Sequence, residues 1–200
     1  MGPMPNIRGK AYGINVITPV KNWKTKILNI LFKILTLKVL QKDLHSLSFI
    51  HFARWTVIPN KAFPHFPQQT AQENLKYDYM MFESNFNGSW NEYIDAFNSV
   101  LSLKLNLIWY WSENYPGSQP LTPFKDYITH NQIYTDYYYM AYPGSTVNDV
   151  KNALTVTRNF EKLVSSLEKS DKDFEKAFNS FFIKAQNQLG ATGSLGPEMT

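Results

Sequence analysis

The segment "SFIHFARWTVIP" (residues 48–59) determines the fold class, because its β-branched and aromatic residues predict a β-strand. Side chains alternate between the two faces of a strand, so His51 and Arg54 are predicted to point in opposite directions. They therefore cannot be adjacent members of one site on a regular strand. Both faces are otherwise mainly apolar, which predicts a sheet that is covered on both sides.

The segments on either side predict more of the same sheet. Residues 75–86, "LKYDYMMFESNF", predict a third strand antiparallel to the second, and residues 11–20, "AYGINVITPV", predict the first strand. Between the first and second strands, a helix is predicted from a cap at Asn22 to about Leu40. Its apolar side chains cover more than half of its circumference, so we expect it to be mostly buried.

Two capping motifs predict where later helices begin. Ser89 is followed three residues later by Glu92, and Thr146 by Asp149, as in a capping box. Residues 106–124 predict a short helix and then a long loop of the kind that forms lids or binding loops. A further strand is expected just before Thr146.

This element order predicts an α+β fold with a ferredoxin-like βαββαβ core, an antiparallel sheet and added C-terminal helices. The expected organisation is a flexible N-terminus over residues 1–9, the domain over 10–156, a final helix over 157–188 and a flexible tail over 189–200. The crossover helices would cover one sheet face. The other face would need the added helices or a second copy of the chain, which makes a homodimer one expectation.

Composition restricts the classes of function. The chain has 200 residues, 44% of them hydrophobic, which is enough for one domain with a sizeable core. The absence of cysteine excludes disulfides, thiolate metal sites and cysteine nucleophiles, and it favours a reducing, cytoplasmic location. No apolar run reaches the roughly 18 residues that a membrane-spanning helix needs.

The basic residues are concentrated at the start of the chain. Residues 1–42 contain eight bases and no acid, whereas the remainder carries a net negative charge. The first helix could therefore hold a peripheral position on an anionic membrane surface, or its lysines could simply be solvated. Nucleic-acid binding is not expected, because no recognised motif accompanies the charge.

His51 and Arg54 are the candidate catalytic residues. An arginine among apolar neighbours needs an acidic partner or an anionic ligand, and Glu83 on the next strand could complete a buried salt bridge. His51 is either a hydrogen-bonded core histidine or a haem ligand or acid–base group. No histidine spacing typical of a metal site occurs, so no metal site is expected.

The candidate ligand-binding residues are Glu83, Asn85, Trp109, Trp111 and Tyr138. Asn85 lies in "SNFNGS" (84–89), which is either a capped turn or an anion site at a helix N-terminus. The aromatic residues, in the predicted loop and last strand, either line an apolar pocket or pack in the core.

The motifs "LHSLSFIHFARW" (44–55) and "FESNFNGSWNEYIDAF" (82–97) resemble a family of largely uncharacterised bacterial proteins, over about residues 10–155. At the level of fold, the chain is similar to the dimeric α+β barrel superfamily, which includes small monooxygenases and haem enzymes such as chlorite dismutases and dye-decolorising peroxidases. Fold-level similarity does not convey chemistry. The leading hypothesis is a domain that binds a small apolar ligand. The alternative implied by the resemblance is an oxidoreductase, haem-dependent or cofactor-free, in which His51 is the haem ligand or acid–base group and Arg54 positions an anion or a peroxide.

Overall fold

The computed structural model describes residues 6–35, 47–63, 65–71, 73, 75–168 and 170–188. These residues form an antiparallel sheet and α-helices. The strands are β1 (Ile7–Arg8), β2 (Ala11–Val20), β3 (Ile50–Ile58), β4 (Asp78–Asn87) and β5 (Gln132–Ile133). The helices are α1 (Asn22–Leu35), α2 (Trp90–Trp109), α3 (Leu121–Asn131), α4 (Val147–Val164) and α5 (Asp171–Gln188).

The sheet has the ferredoxin-like topology that the sequence predicts. β2 and β4 lie in the centre, β3 pairs with β4, and β5 pairs with the free edge of β2, all antiparallel. The spatial order is therefore β5-β2-β4-β3, with α1 connecting β2 to β3 and α2 following β4. The short β1 pairs with the beginning of β2, beside β5.

An aromatic core lies between the sheet and its helices. The ring of Phe86 on β4 stacks on Tyr93 of α2 with centroids 3.8 Å apart, and Tyr93 stacks on Phe97 at 5.1 Å. Phe82 contacts Trp109, the last residue of α2, with the ring centroids 5.2 Å apart. Such aromatic pairs contribute about 0.5–1.5 kcal/mol beyond their buried area. Phe82 and Phe86 lie on the same face of β4, which α1, α2 and α3 cover.

The opposite face of the sheet is open, so the prediction of a sheet covered on both sides is wrong. Phe52 is 48% exposed and the side chain of Arg54 is 64% exposed. The sequence misleads here because this face carries apolar residues such as Met81 among its polar ones. Apolar atoms are common on folded surfaces, so their presence does not prove burial.

Helix α1 is much less buried than predicted. Of its residues, Thr25 and Leu28 are buried, and Ile30 is 59% exposed. A helix that lies on one side of a sheet buries only the arc facing the sheet, so a wide apolar arc remains partly in solvent. The helix begins at Asn22 itself, and residues 36–46, where its predicted end falls, lie outside the described residues.

The second half of the chain is more helical than predicted. The expected short helix before the loop is the end of the continuous, 20-residue α2. The loop of residues 110–120 is shorter than expected because α3 follows it, and the predicted last strand is reduced to the two residues of β5. The aromatic residues after β5 favour a strand, but the segment is irregular, and most of these side chains are exposed. Of them, Tyr138 is bound to the sheet through Asn85.

The predicted single helix over residues 157–188 is a hairpin of α4 and α5, and residue 157 lies inside α4. The chain breaks at the serines: the Ser166 hydroxyl donates to the Leu163 carbonyl, and Ser170 accepts from the amide of Asp173. Serines compete for backbone hydrogen bonds and favour helix ends. Both predicted capping boxes, at Ser89 and Thr146, are confirmed.

The predicted flexible termini lie mostly outside the described residues, which exclude 1–5 and 189–200. The predicted flexible N-terminus includes residues 6–8, and for these residues the prediction is wrong. Asn6 is buried and Ile7–Arg8 forms β1. A strand as short as β1 gives a weak alternation signal, so the sequence alone does not reveal this strand.

Candidate functional site

The open face of the sheet carries a row of polar side chains across three strands. Glu83 on β4 lies opposite Asn15 on β2 and opposite Arg54 on β3. Because residues in register on adjacent strands share a face, these three side chains project together. The next row along the strands contains Gly13 and Asn85. The centre of the open face is therefore polar, although apolar residues flank it.

Arg54 and Glu83 form the ion pair that the sequence predicts. The Arg54 Nε donates to Glu83 Oε2, and this contact raises the pKa of Arg54 above its ordinary value. The expectation that the pair is buried is wrong, because the side-chain exposures are 64% for Arg54 and 17% for Glu83. An ion pair with one solvated partner contributes little stability. The contact uses Oε2 of Glu83 and does not involve Oε1.

Next to this row the open face has a concavity of about 380 Å³. Three of the predicted ligand-binding residues, Glu83, Asn85 and Tyr138, line it. We call the concavity the open-face site and define it by all of its lining residues: Gly13, Asn15, Ile17, Met81, Glu83, Asn85, Ile133, Thr135 and Tyr138.

One wall of the open-face site is the irregular segment that follows β5. The Asn85 side-chain amide donates to the Tyr138 hydroxyl at 2.7 Å, and the Asn15 amide donates to Thr135 Oγ1 at 2.9 Å. Burial raises the pKa of Tyr138 above its ordinary value, so its hydroxyl stays protonated at neutral pH. Since this oxygen accepts from Asn85, its own proton is able to hydrogen-bond a ligand.

The floor of the open-face site is made by Gly13. A Cβ at this position would lie 3.6 Å from Tyr138 Cε1 and 3.7 Å from Asn85 Oδ1. The glycine amide donates to the backbone oxygen of buried Asn6 at 2.7 Å, and Asn6 Oδ1 accepts from the Thr135 amide at 2.6 Å. The floor and the wall are thus joined by the same N-terminal residue.

The "SNFNGS" turn is a capped helix start and not an open anion site. The Glu92 carboxylate accepts from the Ser89 amide at 2.9 Å, which occupies a donor that an anion would use. Asn87 is buried, and its side chain donates to the Lys10 carbonyl and accepts from the Val147 amide, each at 2.8 Å. Of this segment, Asn85 is the residue that lines the open-face site.

Trp109 and Trp111 do not line the open-face site. Trp109 is buried in the aromatic core on the helix-covered face, and Trp111 packs partly buried against the same core. The hypothesis that they line a pocket with Tyr138 is therefore wrong for the open-face site. A tryptophan at the end of an apolar helix pattern serves the core as well as it would serve a pocket, so sequence does not separate the two roles.

His51 occupies a β-bulge. The pairing of β3 with β4 shifts between Ile50 and Phe52, which leaves His51 as the extra residue and interrupts the predicted alternation. Its Nε2 is buried without a hydrogen-bond partner among the described residues. Burial lowers the pKa of His51, which favours the neutral imidazole.

The open-face site does not support the hypothesis of a haem held by His51. A haem needs an axial ligand that faces its pocket, and His51 is not among the residues that line this site. Among the described residues there is also no group of three or more histidine, aspartate or glutamate side chains that could hold a metal ion.

Sequence reasoning missed Gly13, Asn15 and Thr135. A signal for the first two was present in "AYGINVITPV", where a glycine and an asparagine interrupt a β-rich run at alternate positions. A glycine inside a strand often marks the close approach of a ligand or another chain segment. Thr135 carries no such signal, because its position depends on how the segment after β5 folds back.

No family model, no curated protein and no solved structure matches the chain. Within the part of the chain that the structure describes, no helix combines the length and the apolar character that crossing a membrane requires.

Proposed function

We propose that this domain binds a small molecule of mixed polarity in the open-face site. The observation that carries the proposal is the convergence of side-chain amide, carboxylate and hydroxyl groups around a concavity whose floor is a glycine. The volume of about 380 Å³ falls in the range of ligand pockets.

The lining defines the chemical class of the ligand. Glu83 Oε1 and the Oδ1 atoms of Asn15 and Asn85 can each accept a hydrogen bond. The Tyr138 hydroxyl can donate one. Ile17, Met81 and Ile133 offer an aliphatic surface beside them. A neutral molecule with amide or hydroxyl groups on one edge and a hydrocarbon part on the other matches this arrangement. The ligand is therefore more polar than the sequence suggests.

Arg54 supports the site electrostatically. Its guanidinium compensates the charge of Glu83, so the centre of the open face carries no net charge that would require an ionic ligand. The oxidoreductase alternative requires His51 and Arg54 to act on one ligand. It is not favoured, because His51 does not line the open-face site.

The test uses neutral fragments that carry an amide or hydroxyl group and a short hydrocarbon chain, screened against isotope-labelled protein by NMR. We expect binders to shift the backbone amide signals of Gly13, Asn15 and Asn85. The blocking variant is Gly13→Val, because a side chain there enters the space between Tyr138 and Asn85. The matched control is Gly144→Val, since a Cβ at Gly144 would meet nothing within 4 Å.

The expected result is that Gly13→Val loses binding, whereas Gly144→Val binds as the wild type does, with both variants folded by their amide spectra. The proposal is wrong if fragments bind equally well to both variants, or if their shifts map to residues away from the open face.

A further inference from the structure

We propose that α1 docks the domain on an anionic lipid surface, in the plane of that surface. Four large apolar side chains of α1 are exposed at spacings of four, three and four residues, which places them on one side of the helix. We call them the outer stripe: Trp23, Ile27, Ile30 and Ile34.

The outer stripe faces away from the sheet because the opposite side of α1 is held to it. Leu28 is fully buried in the core, and the Thr25 hydroxyl donates to Asp78 of β4. At the start of the helix, Lys24 and Lys21 contact the Glu113 carboxylate at 3.0 and 3.3 Å. These contacts prevent the helix from rotating its outer stripe into the core.

The charge next to the outer stripe selects the partner. α1 contains no acidic residue, and Lys26 is exposed beside the stripe. Lysines that flank an exposed tryptophan and aliphatic residues are typical of helices that lie in the interface of anionic membranes. Since α1 has 14 residues, fewer than the ~20 that cross a bilayer, the helix would lie along the surface.

The charge of α1 disfavours a second copy of the chain as the partner, and it distinguishes α1 from the other helices that expose apolar residues. Pairing through the outer stripe would bring two basic segments together, which like-charge repulsion opposes. By contrast, the exposed apolar residues of α4 and α5, such as Leu154 and Phe182, lie among acidic and basic residues in similar number. That hairpin has no charge preference for anionic lipid, so the lipid assignment is specific to α1.

The experiment measures co-sedimentation of the full chain with vesicles of phosphatidylcholine alone or mixed with phosphatidylserine. We expect binding to the mixed vesicles only. Intrinsic fluorescence gives a second measurement, because Trp23 is 63% exposed and the other four tryptophans are buried or half-buried. The emission should shift to shorter wavelength on binding, and the Trp23→Phe variant should lose this shift.

Two sets of variants separate the apolar and charged contributions. Trp23→Ser/Ile30→Ser should abolish sedimentation, whereas the control Leu103→Ser/Leu154→Ser, which removes two equally exposed side chains from α2 and α4, should sediment normally. Lys26→Gln should weaken binding by about fivefold. The control with the same change of charge is Lys151→Gln on α4.

The proposal is overturned if the wild type remains in the supernatant with mixed vesicles, or if it binds neutral vesicles equally well. It is also overturned if Trp23→Ser/Ile30→Ser sediments as well as its control. Sedimentation velocity without lipid supplies the last outcome. A wild-type dimer that dissociates in Trp23→Ser/Ile30→Ser would assign the outer stripe to a second copy and reject the lipid surface.

Discussion

Phe82 and Glu83 are neighbours on β4, yet they belong to opposite faces of the sheet with different physical properties. Phe82 is buried among the rings of Trp55, Phe97 and Trp109, with centroid distances of 4.8 to 5.9 Å. Glu83 lies on the open face with its carboxylate bound to Arg54. The same backbone thus carries a stabilising core on one face and adaptable polar groups on the other.

The difference indicates that folding stability and the proposed ligand binding depend on opposite faces of the sheet. The covered face contains the close-packed rings on which the folding free energy depends. On the open face Phe52 and Arg54 are exposed, so we expect their substitution to cost less stability than substitution of the buried rings. We therefore expect substitutions on the two faces to differ in which measurement they change.

The largest expected effect separates the faces by stability. Phe82→Ala removes a buried ring and leaves a cavity, so it should lower the free energy of unfolding by about 3–5 kcal/mol. Phe52→Ala removes the same side chain from the open face, where it is 48% exposed, and should cost less than about 1 kcal/mol. Urea denaturation at constant pH measures both.

Equal costs for these two phenylalanine variants would contradict the comparison, because they would mean that the open face is covered in solution. A cost near 3 kcal/mol for Phe52→Ala at high protein concentration, falling on dilution, would identify that cover as a second copy of the chain.

The next effect concerns two asparagines of β4. Asn87 is buried and joins the Lys10 carbonyl to the Val147 amide, so Asn87→Ala leaves buried groups unpaired and should cost about 1–3 kcal/mol. Asn85→Ala removes one half-buried hydrogen bond to Tyr138 and should cost about 1 kcal/mol or less. Only Asn85→Ala should weaken ligand binding. If Asn87→Ala impaired binding while leaving stability intact, the assignment of roles would be reversed.

The sequence predicts those parts of the fold and of the site that have a local signal. The alternation in β2 and β4 and the capping boxes at Ser89 and Thr146 are local, so the element order and the ferredoxin-like fold follow from them. The Arg54–Glu83 pair also follows, because the hairpin brings an unusual charge opposite the nearest acid.

The rest depends on long-range contacts that no local pattern records. Tyr138 reaches Asn85, 53 residues earlier, through a segment that is not a strand. The β-bulge at His51 changes which side chains share a face, and an ideal alternation cannot show it. Trp109 lies in the core because α2 is continuous, whereas the sequence suggests a loop.

A smaller effect tests the exposure of the Arg54–Glu83 pair. Because the Arg54 side chain is 64% exposed, Arg54→Gln should shift the unfolding midpoint less than Asn87→Ala does, and the shift should vanish in high salt. Thermal unfolding of Arg54→Gln, Glu83→Gln and the double variant at low and high salt measures it. A salt-independent shift would mean that the pair is shielded from solvent.

The smallest expected effect is the pH dependence that arises from His51. Burial lowers the pKa of its imidazole in the folded state, so the unfolded chain binds the proton more readily. Stability is therefore complete above about pH 6.5, the ordinary histidine value, and falls as the pH decreases towards the folded pKa. The carboxylates with lowered pKa, Glu92, Glu113 and Asp149, lose their contributions at lower pH, below about 4.5.

Urea denaturation across this pH range should show a flatter profile for His51→Gln than for the wild type, whereas the exposed control His65→Gln should retain the slope. Because the half-buried imidazole keeps some contact with solvent, the difference should be modest. The opposite sign, greater wild-type stability at the lower pH, would require an anionic partner for His51. Such a result would indicate that His51 has a role beyond the β-bulge.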